Sequence, residues 1–101
     1  MVAKNAGMLA TQEDLIDVDA LIGAYYDEVP DPSVASERVI FGTSGHRGSA
    51  LKRTFNEAHI VAISQAIAEY RKSANITGPL YIGRDTHALS LPAWKTSIEV
   101  L

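Results

Sequence analysis

The stretch "VIFGTSGHRGSALKRTFN", residues 39–56, decides the fold because it joins an apolar segment to a glycine-rich loop and then to a helix start. Its first three residues, Val39, Ile40 and Phe41, favour a β-strand. The loop glycines allow close backbone approach, which leaves amide N–H groups free to face an anion. Arg47 adds a planar cation that suits phosphate oxygens. These features predict a phosphate-binding loop, although spacing alone favours a plain structural turn equally well.

Composition limits the classes of protein to which this chain can belong. Its 101 residues are a single-domain length, and its formal net charge of −3 argues against a general nucleic-acid binder. The absence of cysteine excludes disulfides and thiolate metal sites. No apolar run approaches the length of a membrane span, and the N-terminus lacks the apolar core of a signal peptide. We expect a soluble, cytoplasmic protein without nucleic-acid or membrane partners.

A first helix is predicted in "TQEDLIDVDALIGAYYDE", residues 11–28. Thr11 is the expected N-cap, and the prolines of "VPDPS" end the pattern. The apolar residues recur at spacings of three and four, which marks one helix face: Leu15, Val18, Ile22 and Tyr25.

A second helix is predicted from Asn56, which can cap it, while Phe55 can pack on Ile60 as a hydrophobic staple. Its apolar face repeats at the same spacings: Ile60, Ile63, Ile67 and Tyr70. The segment "NITGP" ends it. Ser90 and Pro92 open a third helix in "LPAWKTSIEVL".

The segments "ERVIF" (37–41) and "LYIG" (80–83) are predicted to form short strands between these helices. The order helix, strand, helix, strand, helix predicts an α/β fold, the start of a mixed or parallel-sheet α/β/α domain. Such sheets are buried on both faces and contain more than two strands, so we expect the domain to be incomplete. An exposed sheet edge could also recruit a second copy of the chain.

Two loops are predicted to lie side by side at the carboxyl ends of neighbouring strands, where α/β proteins bind ligands. They are residues 42–53 and the segment "GRDTHALS", residues 83–90. The G-x-x-G-x-x-G spacing does not match the dinucleotide fingerprint or the P-loop, and His46 stands where a nucleophile elbow needs glycine. The three histidines, His46, His59 and His87, are too scattered in sequence to predict a metal site.

Three segments together resemble the α-D-phosphohexomutase family: "FGTSGHRGS", "FNEAHIVAISQAIAEY" and "YIGRDTHALS". The resemblance extends from Glu37 onward and is strongest to the bacterial branch that acts on glucose phosphates. The segment "DLIDVDALIGAYY" resembles the N-terminal extension of that branch. The resemblance therefore divides the chain into an extension with a helix, residues 1–36, and the first part of the family's domain I, residues 37–101.

The resemblance implies an enzyme that interconverts glucose 1-phosphate and glucose 6-phosphate. In this family the reaction proceeds through a phosphoserine and a glucose 1,6-bisphosphate intermediate, with Mg²⁺ and four domains around one cleft. The expected partners are the sugar phosphate and the remaining domains of the parent enzyme. The roles carried over are catalytic for Ser44, His46 and Arg47, and phosphate-binding for five residues: Thr43, Ser44, Gly45, Arg47 and His87. Many family members have arginine at the position of His87.

Several family motifs do not occur in this sequence, notably the T-x-S-H-N-P phosphoserine motif, the D-G-D-G-D-R metal loop and the G-E-E-S sugar loop. Ser44 is therefore not expected to be the nucleophile, and this segment is not expected to bind metal by itself. We expect the chain to be an N-terminal fragment that is inactive alone. Two alternatives remain: a phosphohexomutase for mannose or glucosamine phosphates, and a non-catalytic anion-binding or interaction module.

Overall fold

Three α-helices form the framework of the structure, a computed structural model that describes residues 3–101. They are α1 (Val18–Asp27), α2 (Glu57–Ser73) and α3 (Ser90–Val100). Three single 3-10 turns lie outside them: Gln12–Asp14, Ala35–Glu37 and Ala50–Lys52. In the part of the chain that the structure describes, none of the helices is long and apolar enough to cross a membrane.

The first helix begins later than the sequence pattern predicts. Asp17 is its N-cap, and the Asp17 carboxylate accepts a hydrogen bond from the Ala20 amide at 3.0 Å. Thr11 instead begins the 3-10 turn, where its amide donates to the Asp14 carboxylate at 2.8 Å. Leu15 therefore lies outside the helix with 57 % of its surface exposed. The prediction of a helix is confirmed, and the prediction of Thr11 as its cap is wrong because Asp17 offers a competing cap closer to the core.

Neither predicted strand forms in the described residues. The pairing there is limited to one antiparallel bridge between Phe41 and His46. A strand needs a neighbour that accepts and donates along its length; within the described residues, segment 37–41 pairs only at Phe41 and segment 80–83 does not pair. The Tyr81 side chain consequently stays 88 % exposed. The predicted order of helix, strand, helix, strand and helix is therefore confirmed for the helices and unconfirmed for the strands, since turns and irregular segments join the helices in the described residues.

The centre of the structure is a small cluster formed by the three α-helices and the 3-10 turn at residues 50–52. Its buried members come from α1, the 3-10 turn at 50–52, α2 and the residue before α3: Tyr25, Ala50, Ile60 and Leu89. Phe55, the predicted staple residue, packs against this cluster. The predicted face of α2 runs out of the core towards its C-terminal end, where Tyr70 is 66 % exposed.

Polar contacts join the same elements from within. Asn56 is fully buried, and its Nδ2 donates to the carbonyl oxygens of Ala24 (2.9 Å) and Ala50 (3.1 Å). Tyr25 and Thr96 share a hydrogen bond of 2.8 Å between their hydroxyl groups. Helix α1 is thereby fixed to the beginning of α2 and to the middle of α3.

Candidate functional site

The glycine-rich loop at residues 42–48 is a tight reversal of the chain. The Gly42 amide donates to the Gly45 carbonyl at 3.0 Å, next to the bridge between Phe41 and His46. Gly45 has a φ of 138°, a conformation that side chains with a Cβ rarely adopt. The segment "GTSG", residues 42–45, therefore folds as a compact turn, and His46 and Arg47 follow it directly.

Thr54 closes this loop from the other side. The Ser49 amide donates to the Thr54 hydroxyl at 2.7 Å, and the Thr54 amide donates to the Ser49 carbonyl at 3.1 Å. A Cβ added to Gly48 would lie 2.3 Å from the Thr54 carbonyl oxygen. Glycine at position 48 is thus required by the close approach of two backbone segments.

Both ring nitrogens of His46 are occupied by backbone groups. Nε2 donates to the Thr54 carbonyl at 2.7 Å, and Nδ1 lies 3.1 Å from the Ile40 amide nitrogen. The ring also stacks on Phe55, with 6.0 Å between the ring centroids. An imidazole held in this way orients the loop and has no free nitrogen with which to act as a general base.

Residues of both predicted loops line a single cleft of about 580 Å³. The first loop contributes His46 and Arg47, and the second contributes Arg84 and His87. Trp94 of α3 forms part of the floor, with the Arg84 guanidinium 5.3 Å from its ring centroid. The two loops are therefore neighbours, as the sequence predicted, even though no sheet brings them together in the described residues.

The cleft is electrostatically suited to an anion. Arg47 and Arg84 make no ion pair within residues 3–101, where the recorded ion pair is between Arg53 and Glu28. The carboxylate on the cleft wall, Asp85, is already engaged. It accepts hydrogen bonds from the Ser90 hydroxyl and from the His87 amide (2.9 Å), and these bonds lower its pKa, the Ser90 bond most.

Not all of the predicted site residues reach this cleft. Thr43, Ser44 and Gly45 are outside its lining, and the side chains of Thr43 and Ser44 face solvent. His87 lines the cleft, and its Nδ1 accepts a hydrogen bond from the Leu89 amide at 3.1 Å. The structure therefore places His46, Arg47 and His87 in one cleft lining, whereas Thr43, Ser44 and Gly45 stay outside it.

Arg84 is a cleft residue that the sequence analysis did not select. Its signal was present, because it follows Gly83 at the end of the apolar segment "LYIG" and opens the second loop. A basic residue in that position is the same feature that distinguished Arg47. The cation–π contact with Trp94, ten residues along the chain, is a tertiary feature that no local pattern reveals.

Comparisons with known proteins agree with the sequence resemblance. Residues 38–101 match the family model described as phosphoglucomutase/phosphomannomutase, alpha/beta/alpha domain I. Over 95 residues the chain is 61 % identical to a phosphoglucomutase of Komagataeibacter xylinus. That match covers 94 % of this chain and 17 % of the relative, so the chain spans about a sixth of the length of the curated protein it matches.

The family description also supports the coarse α/β/α class, while the strands of that class are not formed in the described residues. The matched region contains both cleft loops and helices α2 and α3. On these grounds the chain belongs to the phosphoglucomutase/phosphomannomutase family, and its residues 38–101 are sequence of the family's domain I.

Proposed function

We propose that this chain is the N-terminal part of a phosphoglucomutase, called here the parent mutase, and that the cleft between loops 42–53 and 83–90 binds a phosphoryl group. The observation that carries the proposal is that Arg47, in a loop that resembles the family's signature, lies in one cleft with Arg84. The parent mutase would interconvert glucose 1-phosphate and glucose 6-phosphate, an intramolecular phosphotransfer classed as an isomerisation.

The role of Arg47 in this proposal is to neutralise charge on the transferring phosphoryl group. Phosphoryl transfer depends mainly on positioning and on electrostatic stabilisation of the transition state. A guanidinium supplies both, since its fork matches two phosphate oxygens and its charge is permanent. Arg84 adds a second cation to the cleft lining, held over the ring of Trp94.

His46 and His87 are proposed to shape this cleft rather than to transfer protons. Each uses a ring nitrogen to hold its own loop, His46 on Ile40 and Thr54, and His87 on Leu89. Thr43, Ser44 and Gly45 would act through the shape of the turn, since they do not line the cleft. The nucleophile of the proposed reaction would be a phosphoserine elsewhere in the parent mutase, with glucose 1,6-bisphosphate as intermediate.

The residues of this chain do not fit the Mg²⁺ ion that the family resemblance implies. Within residues 3–101, no three His, Cys, Asp or Glu side chains converge on a point where they could hold a metal ion. Asp85 is a single carboxylate, and its hydrogen bonds to Ser90 and His87 already occupy it. Ligands for Mg²⁺ would therefore come from other parts of the parent mutase, which we expect to be cytoplasmic.

The first test is the intact mass and the activity of the native gene product that contains "FGTSGHRGSALKR". We expect a polypeptide several times larger than this chain, which converts glucose 1-phosphate to glucose 6-phosphate in a dehydrogenase-coupled assay. We expect the isolated 101-residue chain to show no turnover. A native product of this length, or a large product active only on mannose or glucosamine phosphates, would contradict the proposal.

The second test replaces Arg47 in the parent mutase. Arg47→Ala removes the cation, and we expect kcat/KM for glucose 1-phosphate to fall on the order of a hundredfold. Arg47→Lys keeps the charge but loses the two-pronged geometry, so it should restore only part of the activity. Lys52→Ala is the matched control, because Lys52 is an exposed cation five residues away that does not line the cleft.

A further inference from the structure

His59 is a buried polar residue for which neither the sequence motifs nor the proposed reaction provides a role. It lies in the first turn of α2 with 3 % of its surface exposed. The Asn56 amide donates to its Nδ1 at 2.9 Å, and its Nε2 donates to the Glu37 carbonyl at 2.6 Å. Because a carbonyl oxygen only accepts, the ring carries its proton on Nε2, and both ends of the ring are fixed to the backbone.

The fixed ring of His59 supports His46. The two imidazoles are stacked with 5.2 Å between their centroids and 27° between their planes, so His46 lies against both His59 and Phe55. His46 in turn bonds to Ile40 before the glycine-rich loop and to Thr54 after it. The stack therefore connects the first turn of α2 to both ends of the loop.

Arg47 depends on this arrangement because its own side chain makes no hydrogen bond within the described residues. Its backbone is held between His46, which bonds to the Thr54 carbonyl, and Gly48, which packs directly on that carbonyl. A rotation of the His46 ring would break the bond to Thr54 and release the loop on the Arg47 side. The position of the Arg47 backbone, from which its side chain reaches the cleft, thus follows from the position of His46.

We propose that His59 is a positioning residue that acts through His46 to hold Arg47 towards the cleft. This inference rests on the proposed phosphate-binding function of that cleft. The competing explanation is that His59 only caps α2, since Nδ1 accepts from the Asn56 amide as the third helical residue does in a capping box. The positioning role depends on the face of the His59 ring, which stacks on His46. The capping role depends only on the hydrogen bonds of that ring.

Two substitutions in the parent mutase separate these features. His59→Gln keeps an acceptor for the Asn56 amide, as is typical of this helix position, but removes the ring. His59→Phe keeps an aromatic ring for His46 but leaves the Asn56 amide and the Glu37 carbonyl without partners. Gln65→Gly is the matched control, because it destabilises α2 at an exposed position that contacts neither histidine.

We expect His59→Gln to lower kcat/KM for glucose 1-phosphate on the order of tenfold while its Tm changes little, because the loop is misplaced in a folded protein. His59→Phe should lower Tm more but keep kcat/KM within about threefold of the wild type at temperatures where it is folded. Gln65→Gly should lower Tm alone. If the loss of activity follows the loss of Tm across the three variants, His59 is only a helix cap and the proposal is overturned.

A spectroscopic measurement tests the same proposal without requiring turnover. In parent mutase labelled with 15N-histidine, the Nε2–H of His46 should be protected from solvent exchange by its bond to Thr54. We expect His59→Gln to lose this protection and His59→Phe to retain it. An unchanged His46 signal in His59→Gln would overturn the positioning role. An inactive wild-type enzyme would contradict the proposed function, while this signal would still decide the role of His59.

Discussion

The Tyr25 hydroxyl connects helix α1, in the predicted extension, to helix α3. Tyr25 is fully buried and shares a 2.8 Å hydrogen bond with Thr96. Burial raises the pKa of Tyr25 to about 12, and the nearby charge of Glu57 contributes to the increase, while the bond to Thr96 opposes it. The folded state therefore keeps its proton at pH values where the unfolded chain has lost it.

This pKa shift predicts alkaline destabilisation. The unfolded tyrosine titrates near its ordinary value of 10.0 and the folded one at about 12, so the stabilisation is complete below pH 10 and is lost as the pH rises through 12. Tyr25→Phe lacks the titrating group and the bond to Thr96, so it should be less stable by about 0.5–1.5 kcal/mol at neutral pH. Its disadvantage should shrink above pH 10, measured as Tm against pH in the parent mutase. Parallel curves for the two proteins would contradict the prediction.

At the residue scale, the sequence identified candidate residues by their chemistry, and their roles in a phosphate site stay predictions. Arg47 and His87 were predicted for the site, and both line the cleft. Thr43 and Ser44 have suitable hydroxyls but are exposed in the tight turn and do not line the cleft. The direction of a side chain in such a turn depends on backbone angles that residue types do not specify.

Asn56 acts at the scale of elements, since its side-chain amide joins α1, the turn at 50–52 and the start of α2. Replacing it with Ala removes two buried side-chain hydrogen bonds, to the carbonyls of Ala24 and Ala50, which should cost about 1–3 kcal/mol even though both carbonyls keep their backbone donors. Asn56→Asp should cost more, because a buried carboxylate would face the same two carbonyl oxygens. Native-state hydrogen exchange of α1 amides in the parent mutase measures both costs. An aspartate variant as stable as the alanine variant would show that the amide orientation is unimportant.

The helices were more predictable than the strands for a physical reason. Helix α2 satisfies its own backbone, so its signals are local: Asn56 at the start, and Asn75 with a φ of 54° just beyond its end. The apolar segments at 37–41 and 80–83 have the composition of strands, but a strand exists only with a partner. The described residues provide a single bridge, between Phe41 and His46. Composition therefore predicted strands, but the backbone pairing that a strand needs is limited to that bridge.

At the scale of the whole molecule, the sequence predicts an extension (1–36) and a domain (37–101). In the structure, residues of both parts pack in one core. All described residues up to position 20 are exposed, whereas Tyr25 occupies the centre of the buried cluster. Helix α1 also bonds to Asn56 through the Ala24 carbonyl, and Glu28 pairs with Arg53 at 2.8 Å. The described part of the extension therefore contains an exposed segment and a segment that packs into the shared core.

Two truncations of the parent mutase test this distinction. Deleting residues 1–16 removes only exposed chain from the described part, so we expect Tm to stay the same and kcat/KM to stay within about twofold. Deleting residues 1–29 empties the site of Tyr25, which should cost about 3–5 kcal/mol. Activity should fall with it, because Ala50 and Leu89 belong to the two cleft loops and both pack in the Tyr25 cluster. If the longer deletion matched the shorter one in Tm and kcat/KM, α1 would be an accessory to the domain, and the cleft would hold its shape without it.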